Sequence, residues 1–213
     1  MAFLDNVLEL FNLNNKIIIP DIEEYLQPKE KINITVNKKI REKYKKGWIK
    51  KTRPKPPLEI TLHGTGGGNT MSGFLKWIWN GERSNLYNRG IALFHYIIDK
   101  EGNIEEIIDP DYFVYHSTSG RHAKVEIGIE LMNSSKSNRD AYTQAQYENL
   151  FDLIDHLKSI YPSIEQISTH RFNIWRYNRK STATKYDKQC PGTGFDWTLL
   201  EKYYGKTFKI FHT

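Results

Sequence analysis

Two histidines and the chain's single cysteine are the residue types best suited to hold a metal ion. His63 follows the apolar run LEITL, His170 follows IST, and Cys190 stands directly before a proline. Two neutral imidazoles and one thiolate are ligands that Zn²⁺ accepts, and three protein ligands leave a fourth position for water, as in catalytic zinc sites. The spacing along the chain matches no general zinc motif, so a structural role for each residue stays open.

A carboxylate and an ammonium group are the next candidates for chemistry. In the run IGIELM, strand alternation places Glu130 on the same face as Gly128 and Met132. A carboxylate inside a strand costs free energy unless it is paired or faces water, so Glu130 is either half of a salt bridge or a general base. Lys188 lies two residues before Cys190 and is either a surface lysine or a cation that activates the thiol or stabilises an oxyanion.

The elements that must position these residues alternate between strands and helices. Apolar runs predict strands over residues 58–62, 92–99, 104–108, 127–132 and 167–169, the second and third forming a hairpin around the turn KEGN. Helical periodicity predicts helices over residues 71–79, 143–161 and 196–203, and Thr143 with Gln146 forms a capping box for the longest. This pattern predicts an α/β fold, a single domain with a central mixed β-sheet flanked by helices.

The prolines of RPKPP, residues 53–57, force extended backbone and separate an N-terminal extension, residues 1–56, from a compact domain, residues 57–213. We expect the extension to be helical and basic. Between Lys38 and Lys55 ten Lys or Arg residues stand against one Glu. Such a run favours a polyanionic partner, namely nucleic acid, an acidic wall polymer or a membrane surface, although a solvated connecting segment has the same composition.

Composition excludes several classes of protein. The 213 residues are 38% hydrophobic and 13% aromatic, which supports a core and excludes wholesale disorder. A single cysteine excludes an internal disulfide framework. No apolar run approaches the roughly 18–20 residues that span a bilayer, and residues 3–13 lack the flanking features of a secretory signal. We therefore expect no membrane span and no signal peptide.

Seven segments in order carry a resemblance to a known family: LEITLHGTGG, FHYIIDKEGNIEEII, YHST, EIGIELMN, YTQAQYENLFDLIDHLKSIYP, ISTHR and DKQCPGTGFDW. From about residue 57 to residue 204 the chain resembles the zinc-dependent N-acetylmuramoyl-L-alanine amidases of the type-2 amidase and peptidoglycan-recognition-protein superfamily, which includes phage endolysins. The resemblance implies one Zn²⁺ per chain, bound by His63, His170 and Cys190.

The same resemblance implies roles for further residues. Glu130 takes the acid position and Lys188 matches a lysine two residues before the third ligand, so both are expected to be catalytic. His116 matches a histidine of the cleft wall. Phe94 stands where some members carry a catalytic tyrosine, and its lack of a hydroxyl argues against a tyrosine-assisted mechanism and gives Glu130 more weight. Trp175 lies in an aromatic and basic segment that either stacks on sugar, contacts an acidic polymer or packs as a surface flap.

The implied function is a peptidoglycan hydrolase that cleaves the amide between N-acetylmuramic acid and L-alanine with zinc-activated water. The expected partners are bacterial peptidoglycan and, through the basic segment, an acidic wall polymer. The chain would be made in the cytoplasm and act on the wall as a phage-type lysin, although a non-exported recycling enzyme is equally compatible. The alternatives are a non-catalytic peptidoglycan-binding module and a nucleic-acid binder that uses the basic segment.

Overall fold

The structure, a computed structural model, describes residues 32–38, 52–80, 94–116, 122–178 and 190–212. Its strands are β1 (Ile34–Val36), β2 (Glu59–Gly64), β3 (Tyr96–Ile98), β4 (Ile104–Glu106), β5 (Glu126–Leu131), β6 (Gln166–Thr169) and β7 (Lys209–Phe211). Its helices are α1 (Met71–Asn80), α2 (Gln144–Ile160), α3 (His170–Asn178) and α4 (Trp197–Tyr204), with a 3₁₀ turn at His122–Lys124.

The described strands form one mixed sheet in the order β1-β4-β3-β5-β2-β6-β7. Among the described strands only the β3–β4 pair is antiparallel, and the central strand β2 pairs in parallel with β5 on one side and β6 on the other. Helices cover the sheet, so the predicted α/β fold with a central mixed sheet is confirmed. The carboxyl ends of β5, β2 and β6 meet at one edge, where sites in such sheets are commonly built.

One face of the central strands forms the hydrophobic core with α2 and α4. The buried members of this cluster that come from β2, β5 and the two helices are Ile60, Leu62, Ile127, Ile129, Leu131, Tyr147, Leu150, Phe151, Leu153, Ile154, Leu157, Leu200 and Tyr204. The capping box of Thr143 and Gln146 is present at the start of α2, as predicted. On the other face, Phe74 of α1 packs in a second cluster with Ile97 and Met132.

Strand β1 lies in the segment that the sequence assigns to a helical extension. Ile34–Val36 pairs in parallel with β4 at the sheet edge, and the Asn37 side chain donates a hydrogen bond to the Glu105 carboxylate. Three residues are too few to show the alternation of a strand in the sequence. Most of the expected helical extension, together with most of the basic run, lies outside the described residues.

Short elements at the other end of the chain were also not expected. The sequence predicts neither α3 nor β7, because α3 has almost no apolar stripe and β7 has three residues. Strand β7 extends the sheet beyond β6 by parallel pairing. Among the described helices, none combines the length and the apolar composition needed to cross a bilayer.

Candidate metal centre

The strands that form the core on one face carry polar residues in register on the other. Parallel pairing of β2 with β5 places Glu59 beside Glu126, Thr61 beside Gly128 and His63 beside Glu130. On the other side of β2, Ser168 of β6 pairs with Thr61, and His170 follows two residues later as the first residue of α3. His63, Glu130 and His170 therefore reach the same edge of the sheet from three neighbouring strands.

Cys190 completes a cluster of three metal-binding side chains with the two histidines. The candidate ligand atoms of His63, His170 and Cys190 all lie within 4.8 Å of one another. The Cys190 Sγ atom is 3.8 Å from His63 Nδ1, and the centres of the two imidazole rings are 4.8 Å apart. His63 is 2% exposed and Cys190 8%. The predicted trio is thus brought together in a largely buried position.

Backbone contacts fix the place of the thiol. The Gly64 N–H donates to Cys190 Sγ over 3.3 Å, and the Tyr142 hydroxyl donates to the Pro191 carbonyl over 2.8 Å. A side chain at position 64 would clash, since a Cβ atom there would lie 2.4 Å from the Tyr142 hydroxyl oxygen. The glycine after His63 therefore lets the cysteine loop and Tyr142 close around the first ligand.

His116 is the second partner of His63. Its Nδ1 atom is 2.9 Å from His63 Nε2, on the opposite side of the His63 ring from the thiol. Burial, reinforced by neighbouring histidines, holds the pKa of both His63 and His116 well below the usual value. Both rings are therefore neutral near pH 7, and a neutral imidazole is the form that binds a metal ion. The donor set of two imidazoles and a thiol fits Zn²⁺.

Glu130 stands next to this trio. Its strand position faces His63 directly across the β2–β5 pairing, and its side chain is partly exposed. Burial raises the pKa of Tyr142, and the charges of Cys190 and Glu130 raise it further, which places all three side chains in one electrostatic neighbourhood. A carboxylate in that position can accept a proton from water that reaches the candidate ligands.

The other predicted site residues have different positions. Lys188 lies outside the described residues. Phe94 is 4% exposed and stacks on Phe74 with ring centres 6.0 Å apart, so this phenylalanine belongs to the core and its contact with substrate stays a prediction. Trp175 is 69% exposed on α3, which leaves most of its ring accessible to solvent.

A buried polar network below the trio was missed by sequence reasoning. His122 lies between two carboxylates, with Nε2 3.0 Å from Glu59 Oε2 and Nδ1 3.1 Å from Glu126 Oε2. Asn173 Nδ2 donates to Glu59 and to Ser168. Burial alone would raise the pKa of Glu59, but hydrogen bonds and charge from His122, together with Ser168 and Asn173, bring it below the usual value. A glutamate in each of two buried strands was the signal in the sequence.

Arg53 ties the proline-rich boundary to the same region. Its guanidinium donates to the Glu126 carbonyl over 2.6 Å and to the Ala123 carbonyl over 3.3 Å. Burial lowers the pKa of Arg53 to about 10, although the charge of Glu126 opposes that shift. This residue, which the sequence shows only as part of a basic run, is therefore a partly buried anchor for the chain before β2.

Comparisons with known proteins agree with this geometry. The N-acetylmuramoyl-L-alanine amidase family, Amidase_2, matches residues 53–193, and the chain belongs to this family of the type-2 amidase and peptidoglycan-recognition-protein superfamily. At this level the family supports peptidoglycan hydrolysis or binding. A search of curated proteins found no match.

Solved structures share the fold at low sequence identity. The amidase LysC from Clostridium intestinale URNW is 19% identical with a TM-score of 0.57, and the alignment covers 83% of this chain and 99% of that one. The Ph2119 endolysin from the Thermus scotoductus MAT2119 bacteriophage is 19% identical with a TM-score of 0.53, covering 82% and 100%. Drosophila peptidoglycan recognition protein SD is 14% identical with a TM-score of 0.54, covering 86% and 100%.

Proposed function

We propose that this chain hydrolyses the amide bond between N-acetylmuramic acid and L-alanine of bacterial peptidoglycan, with one Zn²⁺ held by His63, His170 and Cys190. The observation that carries the proposal is the convergence of these three ligand atoms within 4.8 Å of one another, directly beside Glu130. Loss of Cys190 would leave two ligands, and its presence favours an enzyme over a binding module.

The metal-binding role follows from the orientation of the side chains. His63 Nδ1 is the nitrogen that faces Cys190 Sγ, whereas Nε2 is engaged by His116, so Nδ1 is the proposed metal-binding atom. Bound zinc lowers the pKa of water and polarises a carbonyl oxygen. His63 lies on β2 and His170 directly follows β6, and ligands on regular elements are held more precisely than ligands on loops.

Glu130 is the proposed general base and acid. Its carboxylate accepts a proton from the attacking water as the water oxygen bonds to the amide carbon. The same carboxyl group then returns the proton to the amide nitrogen as the carbon–nitrogen bond breaks, which releases a carboxylic acid and an amine. A general acid–base group is typically worth about 10²–10⁴-fold in rate. The ammonium of Lys188 is proposed to stabilise the oxyanion.

Substrate contact is proposed at the exposed side of the site. The Trp175 ring, 69% exposed, offers a flat apolar surface for stacking on sugar, and Arg171 on the same helix is exposed and cationic. His116 and Phe94 are proposed to form the floor of the substrate site, because both side chains are buried. The basic run from Lys38 to Lys55 is proposed to bind an acidic wall polymer.

The chain is proposed to act on the cell wall as a phage-type lysin. Support comes from the structural likeness to the Ph2119 endolysin of a bacteriophage. The extension over residues 1–56 is proposed to contribute to wall binding, apart from the strand at Ile34–Val36, which belongs to the sheet.

Digestion of purified peptidoglycan tests the reaction. Mass analysis should show free stem peptides with L-alanine at the amino terminus, and their release should stop after zinc removal and return when zinc is restored. The Cys190→Ala variant is the matched control and should release none. Wall binding by the zinc-loaded chain without any released peptide would support the non-catalytic module and contradict the proposal.

A further inference from the structure

Three charged or ionisable side chains are buried together beneath the metal centre. Glu59, His122 and Glu126 have side chains that are 4%, 0% and 0% exposed. Buried charged groups carry a large desolvation cost, and replacing them by apolar residues is often neutral or stabilising. Stability alone is therefore a weak reason for a fold to hold two carboxylates in this place, and their contacts with neighbouring side chains indicate another role.

Glu126 reaches the metal centre through one intervening ring. Its Oε1 atom is 3.8 Å from His116 Nε2, and His116 Nδ1 is 2.9 Å from His63 Nε2. His63 in turn presents Nδ1 to Cys190 Sγ. The structure thus contains a continuous series from carboxylate to imidazole to candidate ligand, in which Glu126 and His63 lie on β5 and β2 and His116 packs against Gly128 of β5.

The positions in this series determine which nitrogens carry protons. When His63 binds metal through Nδ1, its Nε2 carries the hydrogen and donates to His116 Nδ1. A neutral His116 must then carry its own hydrogen on Nε2, the atom that faces Glu126. At 3.8 Å this last contact is electrostatic rather than a hydrogen bond, but the interior of the protein strengthens such an interaction.

The surroundings hold Glu126 and His116 in this arrangement. Thr61 Oγ1 donates to Glu126 Oε2 over 2.7 Å, and His122 lies against the same oxygen, which leaves Oε1 directed toward His116. Gly128 provides the space for the ring, because a Cβ atom at that position would lie 2.7 Å from the His116 imidazole.

We propose that Glu126 is a positioning residue for the metal centre, which acts through His116 to fix the tautomer and orientation of His63. The inference deepens the proposed function and rests on it, since it requires His63 to be a ligand. Carboxylate or carbonyl groups that orient a ligating histidine typically contribute about 10–100-fold to metal affinity. Because Glu126 acts through a second ring, we expect its contribution to zinc affinity to lie near the lower end of that range.

Zinc affinity of two isosteric variants tests the proposal. Glu126→Gln and Glu59→Gln each remove one buried carboxylate that contacts His122, but only Glu126 faces His116. Competition with a chromophoric chelator should show roughly tenfold weaker zinc binding for Glu126→Gln and less than about twofold change for Glu59→Gln. Equal zinc affinity in the parent and in Glu126→Gln would overturn the proposal.

A second measurement needs no variant and covers the case in which Glu126→Gln fails to fold. Nitrogen-15 NMR of the zinc-loaded parent chain should show the hydrogen of His116 on Nε2 and that of His63 on Nε2. A hydrogen on His116 Nδ1 would overturn the positioning role even if zinc binds. A parent chain that binds no zinc would instead contradict the proposed function, so the two failures are distinguishable.

Discussion

The two faces of β2 and β5 differ in what their residues do, although the same two strands supply both. One face presents Ile60, Leu62, Ile127 and Ile129, all 0% exposed, to the helices of the core. The other presents Glu59, Thr61 and His63 beside Glu126, Gly128 and Glu130. Alternation along a strand sends neighbouring residues to opposite faces, so a single residue step separates the core from the candidate site.

The difference shows how each face is specified. The apolar face depends on burial of hydrocarbon, and each fully buried aliphatic side chain contributes about 1.5–3 kcal/mol to stability through transfer from water. The polar face depends on pairing across strands, because the contacts among His63, His116 and Glu126 form only when these side chains lie at particular distances from one another. We therefore expect substitutions on the polar face to change chemistry and those on the apolar face to change stability.

The largest effect on chemistry without an effect on stability is expected at Glu130. Glu130→Gln should lower kcat/KM for release of stem peptides by about 10²–10⁴-fold, because the amide cannot accept the proton of the attacking water. Zinc content and melting temperature should stay close to those of the parent. Glu105→Gln, a substitution at a glutamate of β4 in the same sheet, is the control and should retain activity. Full activity of Glu130→Gln would contradict the assigned role.

A substitution in the core should have the opposite profile. Leu150 of α2 is 0% exposed in the main cluster, and Leu150→Ala should lower the free energy of unfolding by about 2–5 kcal/mol through lost burial and a residual cavity. Urea denaturation measures this change. Zinc affinity of the folded variant should be within about twofold of the parent, since the candidate ligands lie on the opposite face of the sheet from Leu150. A large loss of affinity would show that the two faces are coupled.

Three buried histidines predict that the folding stability of the metal-free chain depends on pH. Burial holds the pKa of His63, His95 and His116 well below the usual value of 6.5. As the pH falls, these histidines are protonated in the unfolded chain before they are protonated in the folded chain. The contribution of their neutral forms to folding stability is therefore fully present above pH 6.5 and decreases as the pH falls below that value. Each histidine contributes at most about 1.4 kcal/mol per pH unit.

Replacement of one histidine isolates that effect. In His95→Gln the slope of unfolding free energy between about pH 5 and pH 6 should be smaller by about 1.4 kcal/mol per pH unit. Urea denaturation at several pH values provides the slope, which is independent of any constant loss of packing. Parallel curves for the parent and the variant would mean that His95 takes up protons equally in both states.

The sequence predicts the apolar face better than the polar face. Hydrophobic periodicity located β2, β5 and α2 to within a few residues, and the capping box at Thr143 was recognised because capping is a local interaction. The trio of His63, His170 and Cys190 was found from residue type and resemblance. Pairing across strands is not visible in one sequence, so neither the contact between His63 and His116 nor the role of Arg53 as an anchor was predicted.

Zinc content of the purified chain tests the central claim most directly. After dialysis against metal-free buffer, elemental analysis should find about one zinc per parent chain and almost none in Cys190→Ala, because the three ligand atoms act on one ion. Circular dichroism of both proteins shows whether the variant is folded. A folded parent chain that retains no zinc, or a Cys190→Ala chain that retains as much as the parent, would contradict the account.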